Sequence, residues 1–214
     1  MTSDDITIHR GLTGVYFDRS ATTFIDGKNG VLEYRGYNIN QLAEHSTFEE
    51  TGYLLIHGKL PTQAELNDFD AELKAARELP EQVFDVLELV KDSHPMDALR
   101  TAVSALASFD EDRNDNSPEA TIRKGNRLTS QVPSIVMAHH NIRQGKDPIK
   151  PSTVLNHAGN FLYMLNGDEP SAATAELMDK DFVLHADHGS NASAFTARVV
   201  AGTAADIHGA VTAG

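Results

Sequence analysis

From Asn40 onward the chain is a succession of short amphipathic segments, each opened by a helix-start signal, and that punctuation most limits what it can fold into. Thr47 with Glu50 and Thr62 with Glu65 have the spacing of capping boxes, in which a hydroxyl and a carboxylate each satisfy an orphan amide at a helix start. Gly58 and Pro61 punctuate the gap between them. Leu66, Phe69, Leu73 and Ala76 recur at helical spacing, as do Val83, Val86, Leu87 and Val90 after Pro80, so each segment offers one apolar stripe. Further helices are expected over 95–109, 118–143, 152–166 and 171–185.

The amino-terminal end reads differently. Residues 1–8 are polar and are expected to fray. Between Gly14 and Tyr37 the pattern is strand-like at 15–17, 22–26 and 31–34, and Gly27-Lys28-Asn29-Gly30 supplies turn chemistry between the last two. The expectation is a mainly α protein with a small amino-terminal β-hairpin. Neither an internal repeat nor a long linker divides it, so all 214 residues belong to one domain.

Composition removes several functions. There is no cysteine, so disulfides, thiolate metal sites and a cysteine nucleophile are excluded. Thirty-one acidic against eighteen basic residues give a net charge of -13, which opposes nonspecific binding to a phosphate backbone; no nucleic-acid partner is expected. The same charge suits a well-solvated surface in salty surroundings. No apolar run is long enough to span a membrane and no signal peptide precedes the fold, so a cytoplasmic protein without a membrane partner is expected.

The final stretch, 191–214, is apolar and rich in small residues, which suits a buried helix or a helix interface. It carries no stop signal before Gly214, and the chain is read as incomplete at its carboxyl end.

Chemistry concentrates at 184–191, LHADHGSN. His185 and His188 stand three apart and would share a helix face, with Asp187 beside them and Asn191 one turn on. Imidazole and amide donors there can converge on a small anionic solute. The plainer alternative has one histidine capping a helix carbonyl and the other packing in the core. Two histidines and an aspartate could also ligate zinc, but the usual helical pair is four apart and a third ligand is not evident, so no metal is assigned. His139-His140 reads as helix surface, His94-Pro95 as a turn, and Arg100 as an ion-pair partner on a helix face. No Gly-rich phosphate loop and no Gly-x-Ser-x-Gly passage occurs.

Several passages together resemble the citrate synthase family in its smaller bacterial and archaeal form: GLTGV at 11–15, LEYRGY at 32–37, YLLIHGKLPT at 53–62, HPMD at 94–97 with LRT at 99–101, NFLYML at 160–165, and LHADHGSNAS at 184–193. They run in family order over nearly the whole chain. The resemblance implies that residues 1–214 form the amino-terminal part of a multi-helical large domain, with the small domain absent from the chain. It further implies a homodimer that condenses acetyl-CoA with oxaloacetate to citrate and CoA, with acetyl-CoA as co-substrate and no cofactor. His188 matches a histidine that hydrogen-bonds oxaloacetate, Asn191 matches an asparagine of the same pocket, and His185 matches a neighbouring histidine. The family's first catalytic histidine sits in a Gly-Pro-x-His-Gly passage with no counterpart here. His208-Gly209 falls too early to replace it, so no catalytic residue is assigned within this chain and the chain by itself is expected to be inactive.

Two other readings remain. A 2-methylcitrate synthase would use propionyl-CoA and shares the LIHGK and HPMD passages, while the wording of LHADH leans towards citrate synthase. From another class, the chain would be a non-catalytic helical module that binds a dicarboxylate, or a partner through its apolar last segment.

Overall fold

The computed structural model of the protein describes residues 9–12, 14–15 and 19–214. The hairpin forms as expected. Strand β1 (Thr23–Asp26) pairs antiparallel with β2 (Val31–Tyr34), with Thr23 opposite Tyr34 and Asp26 opposite Val31. Asp26 closes the turn by accepting the Lys28 and Asn29 amides on Oδ1, at 3.1 and 3.2 Å. A third strand, β3 (Tyr37–Asn38), was not anticipated; it follows a tight reversal in which Arg35 and Gly36 take φ of 50° and 86°. Two residues carry too little alternation to be read as a strand. Of the strand expected at 15–17, Tyr16 and Phe17 lie outside the described residues, and Val15 is exposed loop.

Helices make up the rest. They are α1 (Ile39–His45), α2 (Phe48–His57), α3 (Gln63–Ala75), α4 (Glu81–Leu89), α5 (Pro95–Leu106), α6 (Pro118–Ile142), α7 (His157–Asn166), α8 (Ala172–His185), α9 (Ala192–Ala201) and α10 (Ile207–Ala213). Both capping boxes are present, at the starts of α2 and α3. The apolar stripes do what periodicity demands: Phe69 and Leu73 of α3 and Val83 and Leu87 of α4 are buried. Among the described residues no helix is long and apolar enough to cross a membrane.

Three expectations need correction. The helix expected from 152 starts only at His157, because Ser152 Oγ takes the Val154 and Leu155 amides and Asn156 caps the Gly159 amide at 2.8 Å. Arg77, 1% exposed, clamps that turn by donating from Nη1 to the Ser152 and Leu155 carbonyls at 2.6 and 2.8 Å. The apolar run 191–214 is not one helix: it breaks after Ala201, Ala204 takes φ of 62°, and Asp206 caps a new helix at the Gly209 amide. His139 is core rather than surface, 4% exposed on the inward face of α6, whereas its neighbour His140 pairs with Gln144 at 2.7 Å.

Two buried clusters matter for position. Val83, Leu87, Val103, Leu106, Leu128 and Ile135 weld α4, α5 and α6. Tyr34, Ile39, Leu42, Leu54 and Val183 bind the hairpin to α1, α2 and α8. Burying side chains of this size stabilises by roughly 1.5–3 kcal/mol each. The second cluster anchors the end of α8, where the candidate site begins.

Candidate functional site at the α8 to α9 bend

Helix α8 stops at His185, so His185 and His188 do not share a helix face as their spacing suggested. Residues 186–191 form a bend between α8 and α9, with Gly189 in the left-handed region at φ of 64°. A Cβ added at Gly189 would lie 3.7 Å from Ile25 Cδ1, so the bend passes in contact with β1.

The sheet holds the bend directly. Tyr34, fully buried on β2, donates its hydroxyl to the Leu184 carbonyl at 3.1 Å and accepts the Asp187 amide at 3.3 Å. Thr23, opposite Tyr34 in the ladder, donates its hydroxyl to Asp187 Oδ2. Burial pushes the Tyr34 phenol above the usual tyrosine range, with the Asp187 amide opposing and the Asp187 charge adding to the shift. The hydroxyl therefore remains protonated and can donate. Arg35 ties the hairpin to the end of α2 through Nε and Nη2 on the Leu55 carbonyl, at 3.3 and 2.8 Å.

His188 stands exposed on this bend. Asn191 is the N-cap of α9: its Oδ1 accepts the Ala194 amide at 2.8 Å, which leaves the side-chain NH2 as a donor. His185 is on the surface of α8, its Nδ1 donating to the Asp181 carbonyl at 2.8 Å and lying 3.4 Å from Asp181 Oδ1. The arrangement thus presents one imidazole, one amide and the amino end of a ten-residue helix from a single bend. Helix amino ends favour anions through their free amides and dipole.

Other sequence candidates lie apart. His94 caps α5, accepting the Met96 amide on Nδ1 at 3.2 Å. Arg100 pairs with Asp97 at 2.9 Å on the exposed face of α5. His208 is 1% exposed in α10, 3.6 Å from Asp110 Oδ2, and burial pushes its ring below the usual histidine range. Among the described residues no group of three His, Cys, Asp or Glu side chains comes together to hold a metal ion. Cavities open elsewhere among the described residues, including one of about 350 Å³ beside Arg77, Phe84 and Ile149 and an apolar groove of about 520 Å³ between α6, α7 and α10. Spacing did not flag Tyr34 and Thr23. Tyr34 belongs to the LEYRGY passage, which marked it without giving it a role.

A family model described as "Citrate synthase, C-terminal domain" matches residues 11–214. The citrate synthase of Haloferax volcanii is 48% identical over 210 residues, covering 96% of this chain and 55% of that protein. A 2-methylcitrate synthase of Mycobacterium tuberculosis is 39% identical over 206 residues, covering 96% of this chain and 52% of that protein. The crystal structure of citrate synthase from Pyrobaculum aerophilum matches with a TM-score of 0.93 at 38% identity, over 96% of this chain and 54% of that one. The chain spans about half the length of the curated relatives it matches. On the agreement of family model, sequence relatives and helical architecture, the chain belongs to the citrate synthase family.

Proposed function

We propose that this chain is the amino-terminal part of the large domain of a cytoplasmic, homodimeric acyltransferase that condenses acetyl-CoA with oxaloacetate, and that His188 grips the oxaloacetate. The observation that carries the reading is the exposed imidazole of His188 on a bend fastened to the sheet at the preceding residue. A neutral imidazole donates one hydrogen bond to the ketone oxygen of the keto acid, and an imidazolium adds positive charge where the oxyanion develops during attack. The Asn191 NH2 and the free amides at the start of α9 are suited to a carboxylate of the same molecule. His185 borders this site, with Nδ1 occupied and Nε2 available.

The remaining chemistry is proton transfer and bond exchange. A carboxylate base removes a methyl proton from acetyl-CoA, the resulting enol carbon bonds to the ketone carbon of oxaloacetate, and water then cleaves the thioester to release CoA. In this reading the groups for enolisation belong to the family's Gly-Pro-x-His-Gly passage, a string that does not occur in these 214 residues, and to its downstream partners. The 214-residue chain alone therefore binds without turnover in this proposal.

The test is CoA release by the protein at the full length of its relatives, with oxaloacetate and either acetyl-CoA or propionyl-CoA. Turnover with acetyl-CoA at least about ten times more efficient than with propionyl-CoA is expected, a discrimination on the scale one methylene provides. The 2-methylcitrate synthase relative supports the second reading, and a preference for propionyl-CoA would establish it in place of the first. No turnover with either would leave the dicarboxylate-binding module.

A further inference from the structure

One rung of the small sheet holds the residue before His188 twice over. Tyr34 and Thr23 are ladder partners, and both reach Asp187: Tyr34 through the backbone amide at 3.3 Å, Thr23 through the carboxylate. The Tyr34 hydroxyl also receives the outcome of the helix ending. The last carbonyls of a helix have no amide within the helix to serve them, and the Leu184 carbonyl, in the last turn of α8, is met by Tyr34 Oη at 3.1 Å. A single phenol thus closes α8 on one side and catches the Asp187 amide, within the bend, on the other. After His188, Gly189 lies against Ile25, two residues along β1 from Thr23.

We infer that Tyr34 and Thr23 are positioning residues for His188: the rung acts as a C-cap supplied by the sheet, and it sets the direction in which the imidazole meets oxaloacetate. This inference rests on the proposed role of His188. The ring of Tyr34 is packed among Ile39, Leu42, Leu54 and Val183, and its backbone is locked in the ladder, so the hydroxyl is held in place before any ligand arrives. A donated and an accepted hydrogen bond at one fixed oxygen, each with its own distance and angle preference, restrain the bend in direction as well as position. Misplacing a reacting or positioning group by about an ångström can cost on the order of 100-fold in rate.

The test uses Tyr34→Phe, which keeps the ring and removes only the hydroxyl, in the protein at the full length of its relatives. The KM for oxaloacetate should rise about ten-fold, the loss of one or two hydrogen bonds, while the KM for acetyl-CoA stays within about two-fold. Thr23→Val should shift the same constant in the same direction by less, and carries the test if Tyr34→Phe does not fold. A double-mutant cycle supplies the readout that simple destabilisation cannot give. In a His188→Ala background the Tyr34→Phe effect on oxaloacetate should vanish. Equal rises in both KM values, an unaltered oxaloacetate KM in folded variants, or an additive cycle would overturn the inference. Each of those outcomes needs an active parent, whereas a parent that turns over neither acyl-CoA removes the proposed function itself.

Discussion

The Asp179 carboxylate on α8 receives the backbone amide of Phe48, the first residue of α2, with both oxygens at 3.2 Å. Asp179 is 6% exposed, and burial pushes its carboxyl up to about 6; the Phe48 amide works against the shift, and Glu49, Glu50 and Glu176 add to it. A raised folded-state value means that the folded protein binds this proton more tightly than the unfolded chain. The ionised form is then a cost at neutral pH, which is relieved as pH falls through about 6 towards the unfolded value near 3.8. Asp179→Asn keeps an acceptor for Phe48 and removes the charge. It should stabilise the protein at pH 8 by on the order of 1–2 kcal/mol, and denaturant titrations of the two proteins should converge as pH falls below 5. An Asn variant less stable at pH 8 would show that the charged hydrogen bond outweighs the burial.

His157 titrates in the opposite sense. Its ring stacks on Phe48 with centroids 4.5 Å apart, and burial, followed by the nearby Arg77 charge, holds its pKa down at about 4. The unfolded chain takes up this proton near 6.5 and the folded one only near 4, so stability present above 6.5 is lost between those values. His157→Phe keeps a ring on Phe48 and should flatten the fall in unfolding free energy over that range. A slope identical to that of the parent would place the acid sensitivity elsewhere.

The capping box at α2 offers a local test. Thr47 Oγ1 accepts the Glu50 amide at 3.2 Å, and Glu50 Oε2 accepts the Thr47 amide at 2.8 Å. Thr47→Ala should cost about 1 kcal/mol in chemical denaturation, and Thr47→Ser should retain most of it. A neutral Ala variant would mean that tertiary packing of Tyr53 and Leu54 fixes the helix without its cap.

Charge makes a global prediction. With a net charge of -13, like charges repel across the folded surface, and screening ions reduce that repulsion. The melting temperature should rise from low to molar potassium chloride. A fall across that range would mean that the surface ion pairs outweigh the net repulsion.

The parts of this fold that were legible in the sequence are those whose cause is local. Thr47 with Glu50 and Thr62 with Glu65 contain both halves of their motif within four residues, and the turn at 27–30 carries its own conformational preference. What sequence missed depends on partners far along the chain. The late start of α7 reflects Arg77 gripping the turn at Ser152 and Leu155. The split between α9 and α10 turns on Asp206, a capping residue hidden in an Ala-rich run that reads as one helix. At the candidate site, the passage around His188 forms a bend, and the expected shared helix face of His185 and His188 is not there. The α8 helix ends at His185, and the bend after it is held by a tyrosine 150 residues away from the carbonyl it serves. His139 illustrates the same limit, since only the packing of α6 decides which side of that helix faces the core.

Oxaloacetate affinity tests the role proposed for His188 most directly. Titration calorimetry on the protein at the full length of its relatives, compared with His188→Ala, should show the dissociation constant for oxaloacetate rising about 50-fold, the scale of one hydrogen bond to a charged ligand, with the melting temperature of this exposed site unchanged. Equal affinity in the two proteins would contradict the assignment.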